Sequence, residues 1–220
     1  MASSTGAHER LRAGIADAVA LPWRIPTEVM RIATLPFVRL YFVLHGVRWG
    51  RGWLVFGTPM IQRHGGSQII LGDGLRMRSW RRSNPLLTQR CVLSTRSSTA
   101  EIRVGQDCAM SGAVLVAADR IEIGDRVALG ANVFVVDTDF HPLGLNDAQQ
   151  HSQYGAAKPV IIESDVFIGM NSVILKGVTI GRGCVVGANS VVWNSISPGS
   201  VVGGNPARIL RSAPNRAGAS

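Results

Sequence analysis

The 220-residue sequence predicts a mainly-β solenoid of short parallel strands, and two observations carry that expectation. Aliphatic residues recur at every sixth position, at Ile162, Ile168, Ile174, Ile180, Val186 and Val192. Compact residues sit four places after the first five of these, at Val166, Ser172, Val178, Cys184 and Ser190. A beat of six is neither the 3.6 of a helix nor the 2 of a simple strand. It fits a short strand and a sharp corner, repeated, with each aliphatic side chain pointing inward to stack on its equivalent in the next coil. The composition agrees: 46% hydrophobic residues can build a core, and 25 glycines with few aromatics suit many tight corners.

The elements follow in chain order. Residues 1–52 read as mostly helical, because Glu28, Val29, Ile32, Ala33, Phe37, Leu40 and Leu44 recur near helical spacing between Pro22, Pro26 and Pro36. This stretch holds seven arginines against three acids. Two readings stay open: a cap packed on the main domain, or a basic amphipathic element resting on the inner face of a membrane. From residue 53 the repeat texture begins, with an imperfect coil near Leu71-Gly72-Asp73. The same beat appears at Val104, Met110 and Val116 and, one extra residue later, at Ile123, Leu129 and Val135. Residues 138–159 break the repeat as a long polar excursion, and such a departure from a strict solenoid predicts an exposed, functional loop. The solenoid resumes to residue 211, and residues 212–220 read as a flexible tail.

The formal charge of +9 comes almost entirely from arginine, which looks scattered along the chain rather than striped. With no nucleic-acid motif beside it, nucleic acid is not an expected partner. Cys91, Cys108 and Cys184 lack any metal spacing, and the N-terminus lacks a leader pattern. Free thiols in a reducing, cytoplasmic compartment are expected, and no metal. The apolar stretch between Ile32 and Val47 is broken by Pro36, Arg39 and His45, short of the roughly 20 apolar residues of a spanning helix.

Three phrases, Ile168-Gly169-Met170-Asn171-Ser172-Val173-Ile174, Val186-Gly187-Ala188-Asn189-Ser190-Val191-Val192 and Gly203-Gly204-Asn205-Pro206-Ala207-Arg208, resemble the hexapeptide-repeat acyltransferase family. Asp137-Thr138-Asp139-Phe140-His141-Pro142-Leu143 is similar to the sugar O-acetyltransferases of the maltose, galactoside, nodulation and lipopolysaccharide types. The resemblance covers roughly residues 55–211. It implies a left-handed parallel β-helix with three hexads per coil, an exception to right-handed crossovers. It also implies a homotrimer with active sites between subunits, acetyl-CoA as acyl donor, and a sugar or surface-polysaccharide precursor as acceptor.

Acetyl transfer to an alcohol needs a base that takes the hydroxyl proton as oxygen attacks the thioester carbon. An imidazole suits that step, and the resemblance assigns it to His141. Asp137 and Asp139 are the candidates to orient the ring, since alternate residues of a strand share a face. The resemblance places acceptor contacts at Asp119 and Ser111. It places cofactor contacts at Gly169, Met170, Ala188, Trp193, Arg208 and Arg211, with the Gly169 N–H as a candidate oxyanion donor. Where the family often has Thr-Lys this chain has Trp193-Asn194, which removes one phosphate-binding cation.

The rival readings are N-acetyl transfer to an amino-sugar nucleotide or antibiotic, which the same base would serve, and a non-catalytic scaffold. A carbonic anhydrase on this solenoid would need three histidine ligands, and after residue 64 only His141 and His151 remain.

Overall fold

The computed structural model describes residues 21–141 and 155–212. Among the described residues one helix, α1 (Ile25–Leu44), follows a 3-10 turn at Pro22–Arg24, and every other regular element is a strand. As far as strand 191–192 the strands visit three sheets in strict rotation, so the chain winds as a three-sided coil. Face one carries, among others, strands 76–78, 109–111, 128–131, 167–168, 185–186 and 201–203. Face two carries 60–62, 92–95, 114–117, 134–136, 173–174 and 191–192. Face three carries 68–71, 101–104, 120–123, 160–162 and 179–180. All pairings between successive coils are parallel, and only the last strand, 208–211, turns back antiparallel on 201–203.

The six-residue beat accounts for this winding. Ile162, Ile168 and Ile174 occupy faces three, one and two in turn. Each stacks on the residue eighteen positions on: Ile180, Val186 and Val192. All six are almost fully buried, as are Val166, Ser172, Val178, Cys184 and Ser190 between them. The corner positions Asn171 and Asn189 take φ near +55°, a region Asn tolerates better than most side chains. The three cysteines are buried free thiols, and burial pushes Cys108 up to about 11.

The earlier blocks pair as expected for Val104 with Ile123 and Met110 with Leu129. Val116 does not stack on Val135. A register shift between Leu129 and Ala131 adds a residue, so Leu115 takes the inward place opposite Val135, while Val116 joins an outer cluster with Val114 and Val136. A one-residue slip reverses which face a side chain meets.

The helix is real, but its packed side differs from the side the spacing suggested. Val38 and Phe42 are the apolar side chains it buries, closing the open end of the solenoid with Val47, Trp53 and Val55. The Phe42 ring meets Trp49 and Trp53 edge-on at 5.6 and 5.4 Å. Ile61 N–H donates to Tyr41 Oη, at 3.3 Å. The helix stops at Leu44 because Gly46, at φ +70°, reverses the chain and Val47 N–H returns to the Phe42 carbonyl. Val29, Ile32, Phe37, Leu40 and Leu44 face outward. The first 20 residues of the expected N-terminal segment and residues 213–220 of the expected tail lie outside the described residues.

Candidate active site

Asp137 follows the face-two strand 134–136, at the corner leading to face three. It is fully buried, and its carboxylate accepts the N–H groups of Ala118 (2.7 Å) and Asp119 (2.8 Å) from the preceding coil. Burial pushes its pKa above the usual aspartate range, against the pull of the N–H groups of Ala118, Asp119 and Arg120. The carboxylate thus fixes the backbone of the Asp119 corner. Asp139 is paired with Lys176, whose ammonium also reaches the Ala156 carbonyl at 3.3 Å. Among the described residues neither aspartate is hydrogen-bonded to His141; Asp137 holds the Ala118 and Asp119 N–H groups and Asp139 holds Lys176.

His141 is exposed at the start of the excursion. Residues 142–154 of the expected 138–159 loop lie outside the described residues, but both of its ends are held. Thr138 bridges Ala157 antiparallel, Lys158 N–H donates to the Asp137 carbonyl at 2.8 Å, and Lys176 joins Asp139 to Ala156. Gly155 lies so close that an added Cβ would stand 2.4 Å from the His141 carbonyl oxygen. Phe140 has φ +63°, an uncommon value for a bulky residue, and such strain concentrates at functional sites.

The remaining candidates divide by position. Asp119, exposed and without a side-chain partner among the described residues, shares the two–three corner with Asp137, Asp139 and His141. Trp193, also exposed, ends the face-two strand two coils above and belongs to the same corner. Ser111, Gly169, Met170 and Ala188 lie at the opposite edge of face two, the one–two corner. Met170 and Ala188 are on adjacent coils, where Asn189 N–H donates to the Met170 carbonyl at 2.8 Å. The seven residues from Gly112 to Ala118 that separate the two corners span up to roughly 23 Å of strand. One chain therefore does not bring all of these groups to a single small reacting centre.

Gly169 requires a correction. Its N–H donates to the Val186 carbonyl at 2.7 Å, and an added Cβ would stand 2.5 Å from Ala188 N. The ladder consumes the donor that the sequence suggested for an oxyanion, and the glycine is needed for close stacking of coils. Arg208 and Arg211 stand exposed on the terminal strand, opposite Gly203 and Val201, and no carboxylate pairs with either among the described residues. That donor set suits the phosphates of a coenzyme-A-type ligand, and Ala188 is small and exposed at the one–two corner.

Sequence reasoning missed Lys176 and Gly155. Lys176 is one of only two lysines in an arginine-rich chain, a signal that could have drawn attention to it. The role of Gly155 emerges only in three dimensions.

Residues 159–193 match the family model of the hexapeptide repeat of succinyl-transferase. A 58-residue segment is 48% identical to a 2,3,4,5-tetrahydropyridine-2,6-dicarboxylate N-acetyltransferase of Staphylococcus aureus, covering 26% of this chain and 24% of that one. Matched segments span less than half the length of the curated relatives. Among solved structures, the hexapeptide-repeat acetyltransferase VCA0836 of Vibrio cholerae, complexed with acetyl coenzyme A, is 28% identical. The likeness covers 96% of this chain and 90% of that one, with a TM-score of 0.52. AntD, an N-acyltransferase from Bacillus cereus, shares the fold at a TM-score of 0.60 and 20% identity, over 81% of this chain and 88% of that one. Residues 159–193 thus carry a hexapeptide repeat similar to that of the acyltransferases.

Proposed function

We propose that the protein is an acetyl-CoA-dependent acetyltransferase, that its coil is left-handed, and that it works as a homotrimer whose active sites lie between subunits. The observation that carries this reading is the division of the candidate residues between two edges of face two. In a closed ring of identical copies, one copy's two–three corner, with His141 and Asp119, meets a neighbour's one–two corner, with Ser111, Met170 and Ala188. The outer column of face two supports such burial: Met60, Val92, Val114, Phe134, Val173 and Val191 stand in register and are all apolar. The outer column of face three, with Gln68, Glu101 and Arg120, is polar and suits solvent. Acetyl coenzyme A bound to the Vibrio relative supports the choice of donor.

The acyl donor would supply the thioester. His141 would take the acceptor proton as the acceptor oxygen forms its bond to the acyl carbon. The carbon–sulfur bond breaks, and the imidazolium returns the proton to the departing thiolate. Arg208 and Arg211 would hold phosphates, and Ser111 and Asp119 would hydrogen-bond acceptor hydroxyls. Asp137 and Lys176 position the chain on either side of His141.

The acceptor we propose is a hydroxyl of a sugar or sugar-linked polysaccharide precursor, on the strength of the Asp137–Leu143 phrase. A second reading, N-acetylation of an amino-sugar nucleotide, is favoured by the N-acyltransferases among the relatives. Labelled acetyl-CoA offered with matched pairs of sugars, differing only in hydroxyl or amine at one carbon, separates the two. Label retained through mild alkaline treatment identifies an amide, and label lost identifies an ester. Transfer to neither member of any pair would favour the scaffold reading.

A further inference from the structure

We infer that the outer face of α1 docks the protein on an anionic bilayer surface. This inference stands apart from the acyl-transfer reading and rests on two independent features of the helix end of the solenoid. The first is an apolar face without a partner among the described residues. Val29, Ile32, Phe37, Leu40, Val43 and Leu44 are between 55% and 74% exposed. At 100° per residue they fall within one arc of about 140°. Together they present on the order of 600 Å² of apolar surface, at the upper end of what a monomer carries. The charged residues of the helix, Glu28, Arg31 and Arg39, lie outside this arc, and Glu28 is already bonded to Arg31 at 2.7 Å. The opposite side is fixed in the core through Val38 and Phe42. Among the described residues no helix is long and apolar enough to cross a membrane, so the face suits lying on a surface rather than spanning it.

The second feature is the distribution of charge. The excess of arginine over acid falls in one continuous stretch of the sequence, which the fold places at this same end. Residues 21–90, which form α1 and the first coils, contain eleven arginines and two carboxylates, a balance of +9 that equals the whole formal charge. All other residues balance, twelve basic against twelve acidic. Both carboxylates of the basic end are neutralised locally, Glu28 by Arg31 and Asp73 by Arg51. Beside the first turn of α1, Arg24, Arg76, Arg78 and Arg82 line a cleft of about 510 Å³ in which Glu28 is the only carboxylate among the described residues.

An apolar face within a positive rim matches the two layers of an anionic bilayer, acyl chains beneath phosphate headgroups. A second copy of this chain fits poorly, since burying the face against itself would bring two ends of +9 together. A purely zwitterionic surface would leave the charge without a counterpart.

Co-sedimentation of the full chain with vesicles tests this directly. Wild type is expected to pellet with phosphatidylcholine–phosphatidylglycerol vesicles, and at least about tenfold more weakly with phosphatidylcholine alone or in high salt. The double substitution Leu40→Glu with Leu44→Glu is expected to lose binding by a similar factor while keeping the wild-type melting temperature and oligomeric size. Arg76→Gln with Arg82→Gln is expected to weaken binding to anionic vesicles only. The inference is overturned if wild type stays in the supernatant, if the leucine variant binds like wild type, or if lipid charge has no effect. It is equally overturned if light scattering shows this face buried between copies in a larger assembly that Leu40→Glu with Leu44→Glu dissociates.

Discussion

Replacing His141 by alanine is expected to lower acetyl transfer by about 10²- to 10⁴-fold, the range for loss of a positioned general base. Acetyl-CoA binding should persist, because the candidate donor contacts lie at other positions. His141 is exposed, with no core contact to lose, so the melting temperature should stay within about 1 kcal/mol equivalent of wild type. The check is steady-state transfer together with acetyl-CoA calorimetry and a thermal melt on the same variant. Unchanged transfer would remove His141 from the chemistry.

Asp137→Ala is expected to act in the opposite way, through stability. Its carboxylate is the partner of the Ala118 and Asp119 N–H groups, and alanine leaves both part-buried donors without that acceptor. At about 1–3 kcal/mol for each orphaned group, less the relief of burying no carboxylate, the loss should be about 2–4 kcal/mol near neutral pH. Asp137→Asn, which keeps one acceptor oxygen, should lose less. The pH dependence has a defined sign. The folded-state pKa of Asp137 is raised by burial, so its contribution is complete below the ordinary aspartate range and declines as pH rises through the raised value. The stability of wild type relative to Asp137→Asn should therefore fall as pH increases across the acid range. A shifted pH profile of transfer with unchanged stability would instead place Asp137 behind His141 as an orienting group.

The two cases show where sequence reasoning succeeds and where it stops. A hexad repeat has one consequence for packing, so Ile162 through Val192 place themselves, and the eighteen-residue stacking follows without further information. The Val116 slip was hidden because a single inserted residue near Gly130 leaves an alternative aliphatic, Leu115, beside the expected one. His141 stands out because it lies where the repeat breaks. The aspartates beside it do not reveal their partners, since Ala118, Asp119 and Lys176 reach them from other coils, up to 37 positions away in sequence. The helix shows the same limit: its spacing is legible, but the side it buries depends on the shape of the solenoid end that receives Val38 and Phe42.

The central claim is a site shared between neighbouring copies, and mixed assemblies test it most directly. His141→Ala removes the base at one edge, while Ala188→Phe, at an exposed position, blocks the proposed donor track at the other. Each variant alone should be nearly inactive. Co-expressed and purified through two different tags, the mixed trimers should recover about a third of wild-type sites, since every 2:1 or 1:2 ring pairs one intact edge with one intact edge at one of its three interfaces. Mixed assemblies as inactive as their parents would contradict the shared site.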